Sequence, residues 1–219
     1  DVNCAPVLDV VSKHTHPVLK NRCYGQDPED VARIGRAVAD ALIAGGVVPV
    51  MKHIPGQGRA KLDSHAELPE IEASTAELAA DFAPFRSLSD LPMAMTGHVV
   101  FSALDPKFPA TLSPTVVDFV RRDLDFDGLL LTDDLSMRAL IGSFADRVTG
   151  ALNAGCDIVL HCNGDAREMH EVADAAPFLS QAGIARANKA LAYRQNGASP
   201  DAAALEAELR SLQERAAHA

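Results

Sequence analysis

Most of the candidate chemistry lies in fourteen positions, where Lys52-His53-Ile54-Pro55-Gly56-Gln57-Gly58 is followed by Asp63-Ser64-His65. Asp63 and His65 are two residues apart, so on an extended loop their side chains share one side. A carboxylate so placed orients an imidazole and raises its basicity, which suits proton transfer near neutrality. The competing reading is a surface loop with ordinary polar residues. Gly56, Gly58 and Ser64 point to a mobile loop, of the kind that acts as a lid beside a site.

Lys52 and His53 close an apolar run, Val47 to Met51. A lysine at the end of a buried strand needs a partner, either a structural ion pair or a hydrogen-bonded ligand. A second run, Gly128 to Leu131, ends in Thr132-Asp133-Asp134. Neighbouring residues on an extended segment point to opposite sides, so one carboxylate can face a site while the other caps a helix. His98 follows the run Pro92 to Met95 in the same way. Arg22 comes after the first apolar run, where a guanidinium can clamp an anionic or amide-bearing ligand. Metal binding is the rival use of the histidines, but no HExxH or facial-triad spacing occurs. His14-x-His16 sits in a loop without acidic partners, so neither a metal nor a cofactor is expected.

The elements that must hold these residues alternate between strand and helix. Val2 to Val10 reads as a buried strand. Asp27-Pro28 starts a helix, with Asp27 as N-cap, Val31, Ile34, Val38 and Leu42 as its apolar face, and Gly45-Gly46 as its end. Ser74-x-x-Glu77 reads as a capping box opening a helix through Phe82 and Phe85. Ser113-Pro114 opens another, with Val116, Val117, Val120 and Leu124 inward. A helix across Val148 to Ala154 ends at Gly155, and Ile158 to Leu160 is the last strand. About five continuous-apolar strands imply a parallel sheet covered by helices. No GxGxxG follows a strand, and polar chemistry follows nearly every strand. Both facts favour a (β/α)8 TIM-type barrel over an open doubly wound sheet. Residues 1–165 are read as the partial barrel and 166–219 as a helical extension packing on it. That extension has a break at Asn196-Gly197 through Pro200, and Leu205, Leu209 and Leu212 form the apolar stripe of an end helix.

The chain has 219 residues, enough for one domain with a sizeable core. Its net charge of −10 and pI near 5.2 argue against a nucleic-acid partner. No apolar run approaches the roughly 20 residues that span a bilayer, and no basic-then-apolar leader opens the chain. A cytoplasmic protein without a membrane partner is expected. Cys4, Cys23, Cys156 and Cys162 form no CxxC pair and read as reduced, mostly buried thiols. The chain opens at Asp1 without Met and enters a strand at once, which reads as a fragment or processed segment.

Lys-His-Ile-Pro-Gly-x-Gly followed by Asp-Ser-His resembles glycoside hydrolase family 3, and most closely its bacterial β-N-acetylglucosaminidase branch of the NagZ type. Ala5-Pro6-Val7-Leu8-Asp9-Val10, Arg22 before Tyr24-Gly25-x-Asp27-Pro28, Thr132-Asp133-Asp134-Leu135-Ser136-Met137 and Ala154-Gly155-Cys156-Asp157 agree with it. The resemblance runs from Asp1 to about Asn163. It implies a retaining exo-β-N-acetylglucosaminidase on a TIM-type barrel that releases terminal N-acetylglucosamine from peptidoglycan fragments during cell-wall recycling. Its small-molecule substrate would be an N-acetylglucosamine-containing muropeptide. By the same resemblance Asp133 is the nucleophile, His65 the general acid/base and Asp63 its assistant, while Arg22, Lys52 and His53 contact the sugar; His98, from its place at a strand end, is read as a further substrate contact. The family has His where this chain has Gln57. It also has about three strands before the one that opens this chain, so the barrel is expected to lack its first strands. A catalytically silent sugar-binding fragment and a family-3 hydrolase of broader specificity are the alternatives.

Overall fold

A computed structural model of the chain describes residues 1–195 and 201–217. Among these, strands β1 (Val2–Asn3), β2 (Val48–Ile54), β4 (Met93–Thr96), β6 (Leu129–Asp134) and β7 (Ile158–Leu160) form one sheet in the order β1-β2-β4-β6-β7. Every pairing in it is parallel. The crossovers run through α2 (Pro28–Ala44), α3 (Thr75–Ser87), α4 (Pro114–Arg122) and α5 (Phe144–Ala154). The curled sheet is half of a TIM-type barrel, as the strand–helix alternation predicts.

The helices begin where their sequences say they should. Asp27 accepts from the Glu29 N–H with Pro28 in the first turn. Ser74 and Glu77 close a full capping box. Ser113 caps α4; α5 is the exception, starting at Phe144 and not at Val148, because Ser143 with Asp146 makes a second capping box ahead of it. Gly155 ends α5 in the left-handed region at φ 109°, where a Cβ would be strained. On the narrow buried stripe of α2, Val31, Gly35 and Ala39 face the sheet, while Ile34, Val38 and Leu42 flank it half-buried.

Alternate strand residues serve two cores. Met51, Ala94 and Leu130 pack under α2 to α5 with Phe82, Phe85, Val116 and Val120. Burying one such phenylalanine is worth about 1.5–3 kcal/mol. Val48, Val50, Met93, Met95, Leu129 and Leu131 form the other core. Part of that face is covered by α7 (Gln181–Leu191), whose Ala190 is fully buried there beside Ala187 and Tyr193. Between β7 and α7 lies α6 (Ala166–Ala175), which buries Val172 against Leu135 and Val148. The last helix, α8 (Ala202–Ala217), carries Leu205, Leu209 and Leu212, all three exposed. The break expected at Asn196-Gly197 through Pro200 lies outside the described residues.

Three strand readings need correction. The first strand is two exposed edge residues, with one further bridge from Val7 to Lys52, and not a continuous run to Val10. The buried stretch Val7–Val11 packs as irregular chain. β2 and β6 run on through Lys52-His53-Ile54 and Asp133-Asp134, because strand pairing is made by backbone and tolerates polar side chains. A separate parallel pair, β3 (Glu70–Ile71) with β5 (Val100–Phe101), was not anticipated. Cys4, read as buried, is exposed beside the edge strand, as is Cys162, whereas Cys156 is buried.

Candidate active site

The C-terminal ends of β2 and β6 deliver His53 and Asp133 to one cavity. Arg22, Gln57, Asp63, Ser64, His65 and His16 line the same cavity. Five of the seven expected site residues therefore meet there.

Asp133 and Asp134 divide the work as adjacent strand residues must. Asp134 turns away and caps the following loop, accepting from Ser136 N–H at 2.9 Å, Ser136 Oγ–H at 2.6 Å and Cys162 N–H at 3.0 Å. Asp133 faces the cavity, with the Asp134 N–H donating to it at 2.9 Å and His53 Nε2 3.8 Å from its Oδ2. Burial by itself pushes the Asp133 carboxyl up. The imidazoles of His53 and His98, the Asp134 N–H and the Lys52 ammonium outweigh burial and hold it below the usual carboxylate range. A carboxylate kept charged in a largely buried position is suited to nucleophilic or electrostatic roles.

His53 is held from behind by Asp9, a residue that carried no role in the sequence reading. Its Nδ1 lies 2.7 Å from Asp9 Oδ2, and its backbone N–H donates to both Asp9 oxygens at 3.3 and 3.4 Å. The Gln57 N–H donates to Asp9 Oδ1 at 2.7 Å. Asp9 is 0% exposed. The available signal was an acid within an otherwise apolar run, Val7 to Val11, since a buried carboxylate must be paired or hydrogen-bonded.

The loop after β2 is pinned along its length. At its start Gly58 lies so close to the first segment that a Cβ would stand 1.9 Å from the Val10 carbonyl oxygen. Thr15 Oγ–H donates to the Gly58 carbonyl, and Arg59 Nε–H donates to Asp81 of α3 at 2.7 Å. Gly56 and Ser64 are buried too, so the glycines serve close packing here. At its far end the β3–β5 pair anchors the chain. Midway, the Ala139 and Arg138 N–H groups donate to the Ser64 and His65 carbonyls at 3.3 and 3.4 Å, tying this loop to the one that follows Asp133.

His65 and Asp63 stand at that midpoint, with Nδ1 to Oδ1 at 2.7 Å. A turn brings them together instead of extended chain: the Ala66 N–H donates to the Asp63 carbonyl and the His65 N–H to Asp63 Oδ1. The His65 N–H, followed by the ring, holds the Asp63 carboxyl below its usual range against the cost of burial. His65 remains 62% exposed, and its Nε2 has no protein partner among the described residues.

Three other expected residues differ in placement. Arg22 is an exposed side chain on the cavity wall. Lys52 is half-buried and absent from that wall; burial and the nearby Arg22 guanidinium push its pKa down. His98, expected to contact a sugar, is fully buried behind the wall. Its Nδ1 meets Thr111 Oγ at 2.7 Å and its Nε2 meets the Asp134 carbonyl at 2.9 Å, so neither nitrogen is left for a ligand. Burial lowers its pKa despite the neighbouring carboxylates. Gln57 is the reverse case, since its Oε1 is buried without a partner among the described residues.

Residues 1–191 match the glycosyl hydrolase family 3 N-terminal domain. The chain belongs to this family. Among family-3 relatives, a β-hexosaminidase of Neisseria meningitidis serogroup C (strain 053442) is 42% identical over 169 residues, 74% of this chain and 46% of that protein. A β-hexosaminidase of Tolumonas auensis is 36% identical over 173 residues, 76% of this chain and 51% of its own length. The chain thus spans about half the length of the curated relatives it matches. Among solved structures, NagZ from Neisseria gonorrhoeae in complex with N-trifluoroacetyl-D-glucosamine superposes with TM-score 0.77 at 34% identity, covering 99% of this chain and 61% of that one. A family-3 β-N-acetylglucosaminidase from Paenibacillus sp. str. FPU-7 gives TM-score 0.79 at 32% identity, covering 90% of this chain and 40% of that one.

Proposed function

We propose that this chain carries the acid/base and nucleophile half of a retaining exo-β-N-acetylglucosaminidase. The observation that carries the reading is the Asp63–His65 pair, 2.7 Å apart, on a loop hydrogen-bonded to the loop that follows the charged Asp133. Asp133 attacks the anomeric carbon as the bond to the leaving oxygen breaks, giving a glycosyl-enzyme intermediate. His65 Nε2–H protonates that oxygen as it departs. The same nitrogen then takes a proton from the water that releases the sugar and regenerates the Asp133 carboxylate. An imidazole in place of the usual second carboxyl avoids setting two like charges close together. Asp63 holds the ring by Nδ1 and leaves Nε2 outward. Arg22, Lys52 and His53 hydrogen-bond the sugar.

Names of relatives such as β-hexosaminidase and NagZ support an N-acetylhexosamine substrate. The motif resemblance extends this to muropeptides and to cytoplasmic cell-wall recycling. Turnover of 4-nitrophenyl N-acetyl-β-glucosaminide tests the reaction. Unchanged rates in both Asp63→Ala and His65→Ala would rule out the assignment of the pair. The alternative is a silent sugar-binding fragment, which N-acetylglucosamine binding without 4-nitrophenol release would select.

A further inference from the structure

We propose that Asp9 is a positioning residue for this reaction, its carboxylate fixing the His53 ring so that Nε2 faces Asp133. The inference rests on the reading of Asp133 as nucleophile.

A carboxylate in the apolar stretch Val7–Val11 is costly to bury unless donors surround it. Asp9 has three donor groups, the His53 N–H, the His53 ring and the Gln57 N–H, and every one comes from residues 53–57. These are the residues that enter the cavity from β2. An acid that only stapled the first segment to the sheet would have no need of the imidazole. Ionised, Asp9 has no proton to give, so Nδ1 must be the donor in the 2.7 Å contact. That choice fixes both the ring's plane and its tautomer, and leaves Nε2 as the atom 3.8 Å from Asp133 Oδ2. A carboxylate on the far side of an imidazole stabilises positive charge on the ring. Positive charge there favours a charged Asp133.

Other groups face Asp133 as well. Lys52 comes from β2, His98 from beyond β4, and the Asp134 N–H from β6 itself. Cys162, beyond β7, lies near enough to feel the Asp133 charge, and Arg22 shares the cavity wall. All of them persist when only Asp9 is changed, so Asp9→Asn isolates the Asp9–His53 couple. Asparagine keeps the volume and can still accept from the two backbone N–H groups. Its amide nitrogen, however, opposes a protonated Nδ1.

The test is NMR on the full 219-residue chain, reading the His53 ring nitrogens and the Asp133 side-chain carbon against pH. In the native chain Nδ1 of His53 is expected to carry the proton throughout the range in which Asp133 is charged. In Asp9→Asn Nδ1 loses its proton, the positive charge that Asp9 stabilises on the ring is lost with it, and the Asp133 midpoint rises by about one pH unit. Asp63→Asn, which alters the other pair, leaves that midpoint in place. An unprotonated Nδ1 in the native chain overturns the proposal, and so does an unmoved Asp133 midpoint in folded Asp9→Asn. If Asp9→Asn fails to fold, the native-chain ring measurement still decides. None of these readouts needs turnover. An inactive native chain with the expected NMR behaviour would therefore count against the hydrolase reading and not against the role of Asp9.

Discussion

Two histidine–carboxylate pairs serve this cavity, and they share a bond length while differing in almost everything else. Asp9–His53 and Asp63–His65 both place Nδ1 2.7 Å from a carboxylate oxygen. The first is sealed, with side chains 0% and 3% exposed, and the second is open, at 25% and 62%. A sealed pair cannot exchange protons readily with solvent or a leaving group, but it holds a fixed field around its neighbour. An open pair is a poor source of stability, yet it can pass a proton to whatever enters. On the proposed reading, the same chemical couple serves as a fixture where it is buried and as a reagent where it is exposed.

The strongest test of that division acts where the pairs converge. Asp133→Asn should lower kcat by about 10⁴-fold or more on an aryl N-acetylglucosaminide, as for other residues of a catalytic unit. Because the active form of Asp133 is charged and its pKa is depressed, the part of the pH profile set by Asp133 itself should fall only below the usual carboxylate value of about 3.9. His65→Ala comes next, with a loss of about 10²–10⁴-fold for a poor leaving group and a smaller one for 4-nitrophenol, which departs without help. Equal losses for both leaving groups would put the open pair outside proton transfer.

Stability should sort the pairs in the opposite order. Asp9→Ala strands a buried imidazole and two backbone donors, and urea unfolding should register about 3–5 kcal/mol. Asp63→Ala, at a mostly solvated pair, should cost less than about 1 kcal/mol. Comparable costs would erase the contrast. The last effect concerns His98. Its folded-state pKa is depressed, so below an unfolded value of about 6.5 the unfolded chain takes a proton that the folded chain refuses. Its contribution is present above that pH and fades below it, by up to about 1.4 kcal/mol per pH unit. His98→Gln should flatten that slope below a pH of about 6.5 in denaturant titrations.

How much of this was legible in the chain depends on whether the cause is local. The starts of α2, α3 and α4 could be read, because a cap and its partner lie within three residues. Asp63-x-His65 could be read for the same reason, although a turn and not an extended loop makes the contact. His98 could not, because Thr111 and the Asp134 carbonyl, 13 and 36 residues away, occupy its nitrogens. Asp9 shows the same limit at a separation of 44 residues. Lys52-His53 and Asp133-Asp134 were read as lying past strand ends because polarity was taken for termination, whereas the ladder uses backbone alone. Gly56 and Gly58 were read as flexibility because one letter stands for a bend, a close approach or a hinge alike.

Gly58 also changes how variation in such a chain ought to be interpreted. It touches no candidate catalytic side chain, and its missing Cβ is what lets the loop lie against Val10, the residue next to Asp9. A single methyl group there would run into the Val10 carbonyl, one residue beyond Asp9. A survey of variants would file Gly58→Ala under folding defects, whereas its first casualty would be the aim of His53.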